Sequence, residues 1–242
     1  MAILTETGHA KNVGNFGSLL VSIDVLGPAY NPLFEELKPE QLKKLYARAK
    51  STVQGVALAL QVYIAAVNAR DKAWDGLDEI IGRILAIRNI AVDSIEEIEQ
   101  ITALVNEIKG VDVPADAKIM LQQMVKFNIS LSLSSYIERL ESFAKLIKIL
   151  DSSYNSPEEQ LIVGSLRSMH TSLTARNLSV KLAEAALNTA RANRNQLLYS
   201  PENGLVAVAN KVKAYIGQAL TQVSPQYTQI LGTSFSSIET FS

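Results

Sequence analysis

The chain has no cysteine. That absence excludes disulfides, thiolate metal sites and a cysteine nucleophile, while leaving the compartment open. Charge is scarce too: charged residues make up 19% against 48% apolar ones, and mean hydropathy is +0.12. Surface helices normally carry a wide polar face. So little charge implies that much of the helical surface is covered, by the protein's own helices or by a partner. The net charge is -1 and no basic block occurs, so the electrostatic footprint of a nucleic-acid binder is missing. Histidine is limited to His9 and His170.

The opening residues, Met1 to His9, have neither the basic start nor the apolar stretch of a secretory signal. No run reaches the roughly 18 consecutive apolar residues needed to span a bilayer. The best, Leu19 to Leu26, contains Ser22 and Asp24 and ends at Gly27-Pro28. These features predict a soluble, cytoplasmic protein.

What the sequence does contain is an internal repeat, and repeats dictate architecture. Shifted by 124 positions, residues 13–74 align with 137–198 without a gap. Tyr30-Asn31 falls on Tyr154-Asn155, Glu35 and Leu37 on Glu159 and Leu161, and Arg70 on Arg194. Past the insertion Ser200 to Gly204 the offset grows to 128, where Leu77, Ile80 and Ile84 meet Leu205, Val208 and Val212. Chance resemblance of amphipathic helices explains matching leucines, but not the Tyr-Asn pair or the arginine in register with them. The repeats span 13–92 and 137–220.

Each copy reads as three helices. The first covers about 13–26 and 136–151, the second opening on a capping box, Ser135-x-x-Glu138. The second covers about 39–73 and 158–199, with Pro39 suited to a first turn where its missing N–H is no loss. At 1.5 Å per residue it is a rod of roughly 50 Å. The third covers about 76–91 and 205–221. Ser94 starts a further helix that stops at Gly110, another spans 115–127, and Ser224 starts a short one ending at Gly232. Residues 129–133 and 234–236 alternate with period two, as short extended segments do. The expected fold is all-α: an elongated bundle of two tandem pseudo-symmetric repeats, forming one compact domain over 1–242.

The long helices share a stripe. Leu42, Leu45, Ala49, Val56, Ala59, Tyr63, Ala66 and Arg70 match Leu166, Met169, Leu173, Val180, Ala183, Leu187, Ala190 and Arg194. Its alanines suit close helix packing. A second stripe, Val53, Leu60, Ile64 and Val67, is apolar only in the first copy, since its counterparts are Asn177, Glu184, Asn188 and Arg191. The first copy's helix is therefore expected to lie deeper.

Chemistry is hard to find. Arg70 and Arg194 suit a structural clamp better than an anion site, with Glu35 and Glu159 as expected partners. The histidines lack the paired Glu-x-x-His of di-iron bundles, and Glu6-x-x-His9 falls in an expected non-helical tail. Gly14 and Gly17 lack the lysine and strand of a phosphate loop. Gly164-Ser165 lies inside a helix and is no nucleophile elbow. No catalytic, cofactor-binding or metal-binding residue is assigned, and no cofactor is expected.

The chain resembles a group of all-helical proteins of about this length from Bacteroidota. The resemblance rests on Ala29-Tyr30-Asn31-Pro32, Ala66-Val67-Asn68-Ala69-Arg70, Tyr154-Asn155 with Glu159-Gln160-Leu161-Ile162, and Val212-Lys213-Ala214-Tyr215 before Ser224-Pro225-Gln226-Tyr227. That group has no established activity, so the resemblance implies helical duplication and a bacterial cytoplasmic setting, and nothing about mechanism. The functional expectation is a non-enzymatic scaffold that associates with itself or another protein and not with nucleic acid. A pore-forming-like, membrane-active bundle is the rival, with segment 13–26 as its suspect part.

Overall fold

The computed structural model describes residues 6–91, 94–109, 133–151, 156, 158–219 and 230–236. The chain is an all-helical bundle, and no strand occurs among the described residues. Seven α-helices are described: α1 (Glu6–Leu26), α2 (Pro39–Asp75), α3 (Leu77–Ala91), α4 (Ile95–Lys109), α5 (Leu133–Leu150), α6 (Val163–Tyr199) and α7 (Leu205–Ala219). Local chemistry sets several ends. Lys38 is extended (ψ 142°), as a residue before proline must be, and Pro39 then opens α2. Ser94 caps α4, its Oγ accepting from the Glu97 N–H at 3.4 Å. Gly204 ends the turn after α6, where a Cβ would come within 2.5 Å of the Ser200 backbone nitrogen, so only glycine fits.

Two local expectations change. His9 is inside α1 and buried, not in a non-helical tail, because α1 starts seven residues before the expected 13. Ser135 lies within α5, which begins at Leu133, so Ser135-x-x-Glu138 is not its N-terminal capping box. Residues 234–236, expected as a short extended segment, form neither helix nor strand and are tied to α1 side chains. The Asn12 amide donates to the Ser236 carbonyl (2.8 Å) and its oxygen accepts from the Ser236 N–H (3.0 Å). Residues 115–127, 129–132, Tyr154-Asn155 and 224–229 lie outside the described residues.

One compact domain was expected, and the helices gather into two compact units. The first takes residues 1–61 and 186–242, the second 62–185, so both long helices contribute to both. In the first unit α1 packs on α7. Phe16, Leu19 and Ile23 join Leu42 and Ala49 of α2 and Leu205, Val208 and Val212 of α7 in one apolar core. In the second unit α4 packs on α3 and α5. Leu77, Ile81 and Ile84 of α3 join Phe143, Leu146 and Leu150 of α5 and Leu166 and Leu173 of α6.

Tyr30 closes the first core. Its hydroxyl donates to the Leu37 carbonyl at 2.8 Å, holding the turn that leads into α2. Burial, reinforced by Tyr215, pushes its phenol well above the ordinary tyrosine range. Burial also raises Tyr136 of the second core, against the pull of Arg70. A raised phenol stays protonated in the fold while the unfolded chain ionises near pH 10, so unfolding releases protons above that pH. Stability is therefore full below about pH 10 and falls as pH rises towards the folded-state values. Melting temperatures measured from pH 8 to 11 should show this fall, and Tyr30→Phe should flatten it while lowering stability at neutral pH.

Candidate functional site

The shared stripe is mostly buried on α6 and buried at half its positions on α2, where Leu45, Ala59, Tyr63 and Ala66 are half-buried. Leu42, Ala49, Val56 and Arg70 of α2 are buried, as are Leu166, Leu173, Val180, Ala183, Leu187 and Arg194 of α6. Each arginine ends its stripe against its own neighbour. Arg70 Nη2 lies 3.0 Å from Asp71 Oδ1, and its guanidinium sits 3.8 Å over the Tyr136 ring, whose hydroxyl donates to the same carboxylate oxygen. Arg194 donates through Nε and Nη2 to Asn195 Oδ1 at 3.1 and 2.9 Å. Glu35 is not Arg70's partner. It is fully exposed and pairs with Lys38 and Gln41, whose hydrogen bonds, led by that of Lys38, hold its carboxyl below the usual range. Arg70 is thereby a packing clamp: its planar guanidinium covers an aromatic face while its edge meets an oxygen.

The histidines belong to different units. His9 Nδ1 lies 2.7 Å from Tyr199 Oη. His170 stands 6.0 Å, centroid to centroid, from Phe143. Among the described residues no group of three metal-ligating side chains comes together.

Two features were not read from the sequence. The first is a groove of about 420 Å³ on the second unit, between α5 and α6. Ile137, Leu140 and Ala144 line one side, and His170, Asn177 and Leu178 line the other. Arg167–Asp151 (2.6 Å) and His170–Phe143 set the two helices antiparallel, so Ala144 lies at the His170 end and Ile137 towards Lys181. Asn177 is only 5% exposed, and neither its Nδ2 nor its Oδ1 has a hydrogen-bond partner. A buried amide left this way costs about 1–3 kcal/mol per group. In the first unit, the residues 124 positions earlier are arranged differently. Tyr46 stands where His170 does, and its ring packs so closely on Gly17 that a Cβ there would lie 2.9 Å from the hydroxyl.

The second feature is the middle of α2. From Ser51 to Ala69 no residue carries a charge, and the run is bounded by Lys50 and Arg70. Only Val56 of it is buried, while Leu58 and Val62 are 63% and 59% exposed and Ile64 is 43% exposed. This overturns the expectation that the first copy's helix lies deeper: its second stripe is half-buried or exposed. The helix is long and apolar enough to cross a membrane. Gln54, Gln61 and Asn68 interrupt the run every seventh residue, so it forms no continuous apolar stretch, and its mark in the sequence is the absence of charge. Conversely, the suspected segment 13–26 is core: Val13, Phe16, Leu19, Leu20 and Ile23 are buried.

No family model matches the chain, and neither a curated protein nor a solved structure is similar to it.

Proposed function

We propose that the protein is a non-enzymatic helical scaffold, built from a duplicated unit, that self-associates through the charge-free run of α2. The observation that carries this reading is a pair of leucines. Leu58 and Leu182 stand 124 positions apart and are 63% and 62% exposed. Neither contributes much to its own fold. A large apolar side chain kept at both places is better explained by a surface that something covers.

Duplication is supported by matching dimensions and by reciprocal cores. Both long helices have 37 residues and both following helices 15. The first core pairs α1, from the front half, with α7, from the rear half; the second pairs α3 with α5. That exchange is what fusion of two intertwined subunits would leave, and an ancestral twofold contact favours a self-complementary surface.

A membrane-active role is the second reading. The nineteen uncharged residues 51–69 extend about 28 Å as a helix, close to the roughly 30 Å hydrocarbon thickness. The matching stretch of α6 carries Arg176, Lys181, Glu184 and Arg191, which opposes insertion of both helices as a hairpin.

Light scattering from micromolar to millimolar concentration, with dye-loaded liposomes in parallel, tests both. Self-association without leakage is the expected result. A monomer throughout would defeat the first reading, and leakage would turn the assignment to the second.

A further inference from the structure

We infer that the groove between α5 and α6 binds a small apolar molecule ending in a carboxylate, with the acid at Lys181 and Asn177 and the chain running towards Ala144. This site is separate from the association surface proposed above.

Size suits a small molecule. A groove of about 420 Å³ lies within the usual range of ligand pockets. Its apolar walls, Ile137, Leu140, Ala144 and Leu178, provide for a hydrocarbon chain. From Asn177 to His170 the helix rises about 10 Å, roughly the length of an octyl chain. Asn177 supplies the polar specificity. Its amide is sealed in the wall of an apolar groove without any partner, and turning it towards an acid head gives its Nδ2 an acceptor. Lys181 lies one turn beyond Asn177, exposed, and makes no ion pair among the described residues. It favours a negative head. Glu141, on the facing helix, disfavours a second negative charge further along the chain.

Several lining positions differ from their counterparts in the first unit in the direction that opens the groove. At the positions 124 residues earlier, Phe16, Leu20, Tyr46 and Val53 replace Leu140, Ala144, His170 and Asn177. Every one of these exchanges removes bulk from the groove or adds a polar atom to it. In the first unit Tyr46 packs against Gly17 and Val53 packs against the core. The second unit has lost that filling and carries an unpaired amide instead, the pattern of stability given up for binding.

Octanoate is the probe, titrated by calorimetry into the intact chain with octylammonium as the charge control. Saturable one-to-one binding is expected, with octanoate preferred by about tenfold over octylammonium. His170→Tyr, which restores the bulk found at position 46, should weaken octanoate by about tenfold or more. Asn177→Val should weaken it as well, with a melting temperature equal to or above the parent's. Lys181→Glu, at an exposed position where the fold is safe, should reverse the preference between the two probes. Absence of saturable octanoate binding at millimolar concentration would overturn the proposal. So would binding that His170→Tyr and Lys181→Glu both leave unchanged.

Discussion

Phe143→Ala is expected to cost about 3–5 kcal/mol of stability, enough to unfold a marginal domain near body temperature. Phe143 is fully buried on α5, in the core it shares with α3 and α6. Its ring also meets His170, so truncation loses apolar burial, aromatic contact and packing at once. Collapse into the vacated space is opposed on two sides. The Arg70 clamp on Tyr136 fixes α5 near its start, and Ser142 bonds to Glu107 of α4 at 2.6 Å. The remaining hole should therefore be deep and the loss near the upper end of the range. Chemical denaturation measures it, and a loss below about 1 kcal/mol would mean that α5 is not a core helix.

The double change Leu58→Glu with Val62→Lys should weaken self-association on the order of 100-fold and leave the fold intact. Both side chains are exposed in the single chain, so replacing them removes little internal packing. Glutamate four residues before lysine is a favourable helical spacing, which keeps α2 as stable as before. In an association seam each apolar side chain is worth about 1.5–3 kcal/mol when buried, and a twofold contact counts each twice. Losing most of that burial in both copies exceeds the roughly 2.8 kcal/mol that 100-fold requires. Sedimentation of the parent and the variant across concentration measures the change, with circular dichroism as the control for folding. Unchanged association would remove α2 from the interface.

The helices were legible because burial imposes a period, and the shared stripe from Leu42 to Arg70 and from Leu166 to Arg194 appears where that period put it. Periodicity does not reveal which of two apolar stripes is covered, however. Val53, Leu60, Ile64 and Val67 looked like a second core face and are half-buried or exposed, because the described residues do not pack a full core against them. The arginine partners were missed for a related reason. Glu35 matched the register, but Asp71 sits beside Arg70 in sequence and meets it without any long-range closure. The groove depends on two helices meeting, which a single periodic pattern cannot express. Its trace in the sequence was comparative: Val53 and Asn177 differ in polarity at equivalent places, and Tyr46 and His170 differ in size.

Because the protein has no native thiol, a single introduced cysteine reports position without ambiguity. Leu58→Cys, left to oxidise alongside Glu202→Cys at another exposed position, is the most direct measurement of whether α2 meets α2. Rapid disulfide-linked dimers from Leu58→Cys, and few from Glu202→Cys, are the predicted result. Equal and slow cross-linking of both at concentrations where the protein associates would contradict an interface along the charge-free run.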